Sequence, residues 1–325
     1  MIIVTGGAGF IGSAIVAALN SRGISDIIIV DELGTDEKWK NLVRLSYEDY
    51  IEKDDFIEIV SSSSIDFPVE AIFHLGACSS TTELDCSYLA INNYEYTKVL
   101  EDWAVNNDVR FIYASSAATY GDGSLGFKDD QSQIHKLRPL NMYGYSKQMF
   151  DLWARKTSQL ENIVGLKFFN VYGPNEYHKA DMRSFVLQAF EQINAVGKVK
   201  LFKSDKPEYA DGGQLRDFIY IKDAVNMTLF FYDNPDVNGI YNIGTGNARS
   251  WNDLAKAVFA AMGKEPIIEY IDMPEHLKGK YQYFTQADIS KIKYAGYENP
   301  ITTMEDAVKD YVQNYLAKGE YLSGV

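Results

Sequence analysis

Along the first half of the chain, short apolar runs alternate with longer stretches in which apolar residues recur every three or four positions. The runs fall at residues 2–4, 27–30, 56–60, 71–75, 109–114 and 163–169, and each reads as a buried strand. Helical spacing occupies 10–20, 92–107 and 144–158. Alternating strands and helices predict an α/β chain of Rossmann type: a doubly wound parallel sheet with helices on both faces. Ligands of such sheets lie beyond the carboxyl ends of the strands, where Gly6, Asp31, Gly76 and Ser116 fall. After about residue 170 the rhythm changes at Tyr172-Gly-Pro174. A helix over 182–195, a strand over 198–202 and a polar surface loop over 204–214 follow. A strand at 217–221 is expected to return to the main sheet, with Asp223 opening a helix. A strand at 239–243 comes next, and Ser250 caps a helix from Trp251. Residues 1–170, with a returning segment near 215–235, then form a dinucleotide-binding unit. Residues 171–325 form mainly a smaller, discontinuous α/β substrate-binding lobe.

The turn after the first strand carries the most specific signal. Gly6, Gly9 and Gly12 follow a strand and open a helix. Gly6 permits a tight turn, Gly9 lets backbone approach a pyrophosphate, and Gly12 lets the helix pack closely on the strand. The helix N-terminus then faces the phosphates. Asp31 ends the second strand, 19 residues past Gly12, where an acid contacts a ribose hydroxyl.

Composition narrows the picture. The 325 residues carry 31 Lys and Arg against 45 Asp and Glu, a net charge of −14, which argues against a nucleic-acid partner. No leader with an apolar segment precedes the first strand, and no apolar run is long enough to cross a bilayer. A cytoplasmic protein without membrane insertion is expected. Cys78 and Cys86 are too few for a disulfide framework. His74, His135, His178 and His276 lack paired metal-ligand spacing, so no metal is expected.

Tyr143-Gly-Tyr-Ser-Lys147 places a phenol and an ammonium on one helical face. A free tyrosine is a poor base near neutral pH, and a neighbouring cation favours its phenolate. Ser116, at a strand end, is placed to hold a substrate oxygen. Together the three residues suit proton movement from an alcohol while hydride leaves its carbon. Tyr145 falls on another helical face and is read as structural, as are Tyr120 and Tyr172.

Thr5-Gly-Gly-Ala-Gly-Phe-Ile-Gly12, Ala114-Ser-Ser-Ala-Ala-Thr-Tyr-Gly121 and the Tyr143–Lys147 motif resemble the extended short-chain dehydrogenase/reductase family. Within it, the chain is similar to the heptose 6-epimerases. This second likeness rests on the run from His74 to Glu83, Phe169-Asn-Val-Tyr-Gly-Pro174, His178-Lys179, and the run from Leu277 to Asp288. The resemblance implies interconversion of ADP-D-glycero-β-D-manno-heptose and ADP-L-glycero-β-D-manno-heptose at C6, for lipopolysaccharide core precursors. It implies transient oxidation by a tightly bound NADP, with NAD as the alternative, and a homo-oligomer, a pentamer in the family. Hydride returns to the opposite face, so proton donors are needed on two sides. The resemblance assigns these to Tyr143 and Lys179, with Ser116 and Lys147 in support.

Cofactor contacts implied by the resemblance add Phe10, Ile11, Asp31, Glu32, Lys38 and Lys53 to the glycine turn. Further along, they are Leu75, Gly76, Ala77, Cys78, Ser79, Asn92, Tyr143, Lys147, Val171 and Lys179. The implied substrate contacts are Ser116, Asn170, Asp181, Gln188, Phe202, Lys203, Ser204, Asp205, Arg216 and Tyr281. Arg216 suits a diphosphate clamp. Three features depart from the family pattern: Glu32 faces the place of a 2′-phosphate, Asp181 and Gln188 replace other residue types, and the 204–214 loop is longer. Another nucleotide-sugar epimerase or reductase of this fold remains open as an alternative, as does a non-enzymatic dinucleotide sensor. A 4,6-dehydratase would carry an Asp-Glu pair after Ser116, where Ala117 and Ala118 stand.

Overall fold

Side chains on the central strands are apolar on both faces, which buries the sheet between two helical layers. The computed structural model describes residues 1–275 and 281–324. The first half runs β1 (Ile2–Thr5), α1 (Phe10–Ser21), β2 (Ile27–Asp31), β3 (Asp49–Glu52), α2 (Lys53–Ser61), β4 (Ala71–His74), α3 (Cys86–Leu89), α4 (Tyr96–Asn106), β5 (Arg110–Ser116), α5 (Met142–Lys156) and β6 (Val164–Phe168). The second runs β7 (Asn170–Tyr172), α6 (Phe185–Val196), β8 (Val199–Phe202), β9 (Leu215–Tyr220), α7 (Ile221–Asp233), β10 (Gly239–Ile243), β11 (Ala248–Ser250), α8 (Trp251–Ala261), β12 (Ile268–Ile271), α9 (Ser290–Tyr294) and α10 (Met304–Asp310).

Seven strands form one sheet in the order β10-β6-β5-β4-β1-β2-β3, and every pairing is parallel. The order reverses between β1 and β4, which opens a crevice at their carboxyl ends. Alternate residues of β1 serve opposite layers. Ile2 and Val4 pack with Ile15, Val16 and Leu19 of α1 and Met227 of α7. Ile3 packs with Phe56, Leu100 and Phe150 of α2, α4 and α5. Two small sheets complete the fold, β11-β9-β7 and β12-β8.

Three expectations are corrected. The run at 56–60 is not a strand but lies inside α2. Its buried residues, Phe56 and Val60, are one helical turn apart, and Asp54 and Asp55 suit the helix N-terminus. The strand there is the preceding β3, whose polar ends sit at an exposed sheet edge. The strand near 217–221 does not return to the main sheet. As β9 it pairs with β7 and β11, and β10 is the strand that returns, beside β6. Buried Asp217 holds β9 there by accepting from the backbone N–H groups of Thr245 (2.7 Å), Gly246 (2.9 Å) and Ala287 (2.9 Å). The helix expected from 182 begins at Phe185, because extended Ser184 caps it. Ser250 caps α8 in a reciprocal capping box with Asp253.

His74 is a structural histidine. It is buried between the hydroxyls of Thr5 (2.6 Å) and Thr97 (2.9 Å), and burial holds its pKa down to about 3. Tyr120 and Tyr172 are buried packing residues, whereas Tyr145 is 49% exposed. His276 and residues 277–280 of one family motif lie outside the described residues.

Glu101 is fully buried on α4, and neither carboxylate oxygen has a hydrogen-bond partner. Burial, helped by Asp102, pushes its pKa up to about 7. A carboxyl raised on folding makes the protein lose stability as pH climbs from the unfolded value through 7. Glu101→Gln removes that ionisation. Denaturant titrations should find the variant more stable than wild type at pH 8, by on the order of 2–3 kcal/mol, with little difference at pH 5.

Candidate functional site

Gly6 has φ +67°, and a Cβ on it would lie 2.6 Å from the Gly76 backbone nitrogen. A Cβ on Gly12 would lie 2.1 Å from the Gly6 carbonyl oxygen. Hydrogen alone fits at both positions, so α1 starts directly over the crevice between β1 and β4. No side chain caps the N-terminus of α1, which leaves first-turn amides for an anion.

The Asp31 carboxylate is committed to this turn. One oxygen accepts from the N–H groups of Ala8 (2.9 Å) and Gly9 (3.2 Å). The other meets Lys38 Nζ at 3.0 Å. Beside it, Glu32 pairs with Lys53 at 2.7 Å, and that lysine holds the Glu32 carboxyl below its ordinary value. Lys53 also donates to Asn92 Oδ1 (3.3 Å). These residues line a recess with Gly6, Gly76, Ala77 and Cys78.

The recess adjoins a cleft lined by Gly9, Phe10, Ile11, Gly12, Leu75, Ser79, Tyr143, Lys147 and Lys179. Asn141 caps α5 by accepting from Gly144 N–H (2.7 Å). Tyr143 and Lys147 follow one turn apart on that helix. Burial raises the Tyr143 phenol, and the opposing pull comes from a hydrogen bond with Ser116. The expected pull from Lys147 is not among the causes of that shift. Burial lowers Lys147 itself to about 8, against the nearby Asp151 charge. Lys179 arrives from a different element, the turn Tyr177–Met182. Its Nζ lies 5.2 Å from the Phe10 ring centroid, and burial lowers its pKa against the pull of Glu176.

A second recess gathers Gln188, Phe202 and Tyr281 with Arg183, Phe185 and Trp251. Beside it, buried Arg216 lies 4.9 Å over the Tyr281 ring. Its guanidinium is aimed by donation to the carbonyls of Leu215 (2.9 Å) and Gln282. Other expected contacts lie apart from both recesses. Asn170 and Asp181 are exposed, and Val171 is half-buried in β7. Lys203 pairs with Asp272. In the loop, Ser204 N–H donates to Asp211 (2.8 Å) and Asp205 N–H to the Tyr283 hydroxyl (2.9 Å).

Several supporting residues escaped the sequence reading. Asn41, 1% exposed, donates to the carbonyls of Ala8 (2.9 Å) and Asn175 (3.1 Å), joining the glycine turn to the segment that carries Lys179. Asn93 sits where the helical chain widens into a π turn, Ala90–Glu95. It accepts from Cys78 N–H (2.8 Å) and donates to Cys78 O (2.9 Å) and Ser146 Oγ (3.0 Å). Under α5, Lys167 and Asp151 form a wholly buried ion pair at 2.9 Å. The hydroxyls of Tyr113 (2.9 Å) and Ser115 (2.8 Å) also donate to Asp151, and Lys167 donates to Thr119. A lysine inside the buried strand Val164–Phe168 was the one signal available for that pair.

The profile of the NAD dependent epimerase/dehydratase family matches residues 2–244. The chain belongs to that family. It is 56% identical over 320 residues to an ADP-L-glycero-D-manno-heptose-6-epimerase of Nitratidesulfovibrio vulgaris, covering 98% of this chain and 99% of the relative. It is 51% identical to one of Fusobacterium nucleatum, covering 98% of each. Among solved structures it resembles the Helicobacter pylori ADP-L-glycero-D-manno-heptose-6-epimerase, with TM-score 0.82, 28% identity, and coverage of 97% and 96%. A Thermotoga maritima UDP-glucose 4-epimerase has TM-score 0.79 and 26% identity, with 98% and 99% covered. Among the described residues, no helix is long and apolar enough to cross a membrane, and no three His, Cys, Asp or Glu side chains gather as a metal site.

The buried ion pair yields a stability prediction. Lys167→Met leaves Asp151 buried without its ion-pair partner and should cost about 3–5 kcal/mol in urea denaturation. Adding Asp151→Asn should recover part of that loss.

Proposed function

We propose that this chain interconverts ADP-D-glycero-β-D-manno-heptose and ADP-L-glycero-β-D-manno-heptose at C6, with a tightly held NADP. The observation carrying this reading is identity above one half, over nearly the full length, to relatives bearing that activity in their name. A single cleft presenting Tyr143 and Lys179 from different elements agrees with it. The residues fit a dinucleotide: the Gly6–Gly12 turn admits no Cβ at its two tightest points, and α1 offers uncapped amides to a pyrophosphate. Lys38 and Lys53 supply cations for a 2′-phosphate, with Glu32 already paired to Lys53. A dinucleotide held by the Gly6–Gly12 turn, Lys38 and Lys53 would supply reversible hydride acceptance at the carbinol carbon.

The remaining work belongs to the side chains. Tyr143 takes the proton of the C6 alcohol in one epimer, with Ser116 holding the oxygen. Lys147, one turn further on the same cleft wall, would hold the ribose hydroxyls of the dinucleotide. Lys179 exchanges the proton for the other epimer, and its lowered pKa suits an amine that must release one. Arg216 clamps the diphosphate, and the recess of Gln188, Phe202 and Tyr281 takes the nucleoside end. Residues 1–170 with the returning α7 and β10 form the cofactor unit of this reading, and most of the rest forms the substrate lobe. A homo-oligomeric, cytoplasmic enzyme belongs to the same reading.

The deciding experiment mixes purified protein with the D-glycero substrate, adds no cofactor, and follows C6 configuration by NMR. An epimeric mixture supports both the reaction and a retained dinucleotide. No conversion after addition of NADP⁺ and NAD⁺ overturns the reading, and stoichiometric reduction of added cofactor would point to a reductase. Tyr143→Phe and Lys179→Met should each slow interconversion by about 100-fold or more, with circular dichroism unchanged. Lys53→Ala should weaken NADP⁺ binding by about 10-fold in calorimetry while leaving NAD⁺ nearly unaffected.

A further inference from the structure

Glu176 is fully buried, where a carboxyl group is costly unless its surroundings satisfy it. Four donors converge on it. Gly173 N–H (3.3 Å) comes from the turn after β7. Ser184 contributes its hydroxyl (2.6 Å) and its N–H from the start of α6. The Tyr311 hydroxyl (3.0 Å) comes from the segment following α10. The Glu176 carbonyl accepts from Lys179 N–H at 3.1 Å. One residue therefore fastens three separate pieces of chain around the short turn that bears Lys179. That turn contains a non-glycine residue with positive φ, Ala180 at +46°, a conformation that persists only where its surroundings enforce it.

The charge matters as well as the hydrogen bonds. A carboxylate accepts from four donors without presenting one of its own, which an amide cannot do. The groups facing this corner are few. The Lys179 ammonium lies over the Phe10 ring of α1, and His178, next to it in sequence, feels the charges of Asp31, Asp36, Lys38 and Lys179. Glu176 supplies the opposing charge that acts on Lys179, and Tyr311 and Tyr177 face Glu176.

We propose that Glu176 is a positioning residue for Lys179: its buried carboxylate fixes the turn that carries the ammonium and provides the ammonium's counter-charge. The inference rests on the reading of Lys179 as the second acid–base group. Removing the charge destabilises the protonated amine, so Lys179 releases its proton at lower pH.

The test compares wild type, Glu176→Gln and Ser184→Ala. Ser184→Ala removes one donor, the hydroxyl, and keeps the carboxyl group and the Ser184 N–H that donates to it. Lysine labelling by trinitrobenzenesulfonate across pH, mapped to Lys179 by mass spectrometry, reads amine ionisation without requiring activity. In Glu176→Gln the labelling midpoint should fall by about one pH unit, and the alkaline limb of the epimerisation profile should move with it. Ser184→Ala should lower Tm and move neither. An unmoved Lys179 midpoint in folded Glu176→Gln overturns the proposal, as does an equal shift in Ser184→Ala. If wild type fails to turn over the ADP-heptose, the functional reading falls while the labelling still decides the coupling. Should Glu176→Gln not fold, Lys179→Met reads the same interaction from the other side. Burial raises the Glu176 carboxyl above its ordinary value, so the stability difference between wild type and that variant should shift in favour of wild type as pH rises and Glu176 ionises, and a difference independent of pH overturns the proposal.

Discussion

The approach of α1 to the turn at Gly6 is the constraint on which the remaining geometry depends. With a Cβ of Gly12 placed 2.1 Å from the Gly6 carbonyl oxygen, no side chain is admissible, and the helix axis is held against the end of β1. That contact puts the helix N-terminus over the point where strand order reverses. Asp31 then closes the loop by accepting from Ala8 and Gly9. The acid expected to greet a ribose also serves as the clasp of the turn.

From this clasp a series of buried polar contacts reaches outward. Asn41 joins the Ala8 carbonyl to Asn175, and Asn175 donates to Ser13 on α1 at 2.9 Å. Asn93 joins the Cys78 loop to α5. Lys167 and Asp151 join β6 to α5 below Lys147. Each of these groups would be costly to bury alone and is stabilised only when its partners are in place. Such contacts hold side chains from distant parts of the chain at fixed separations, which an apolar interface of similar size does less strictly.

Much of this was legible in the chain. The apolar runs located five of the seven main-sheet strands from the first half alone, because parallel strands buried on both faces read as continuous apolar segments. β3 was missed because an edge strand such as Asp49-Tyr-Ile-Glu52 keeps polar ends in water. The helix α2 was misread because a five-residue apolar cluster fits either period. The return of β10 rather than β9 depends on Asp217 and its three backbone donors, a tertiary arrangement with no local sequence signal. In the site, the glycine spacing and the Tyr143–Lys147 pair stood out because their chemistry is local. Asn41, Asn93 and Glu176 did not, since their partners lie far away in sequence and ordinary surface residues share their type.

The order in which the chain emerges during synthesis bears on this architecture. The Gly6–Gly12 turn has both of its neighbouring strands once β4 has formed. The outer edge of β6, by contrast, stays open until residues 239–243 arrive to cover it. The turn that holds Lys179 waits longer still. Asn175 Oδ1 accepts from Leu322 N–H at 2.9 Å, and the Tyr177 hydroxyl donates to the Glu320 carbonyl at 2.8 Å. The Gly6–Gly12 turn can thus be assembled well before the segment carrying Lys179 is seated, and domains that fold as they are made are exposed to misassembly in that interval. Whatever binds the folded turn first would steady the half-built sheet while its last edge is still on the ribosome.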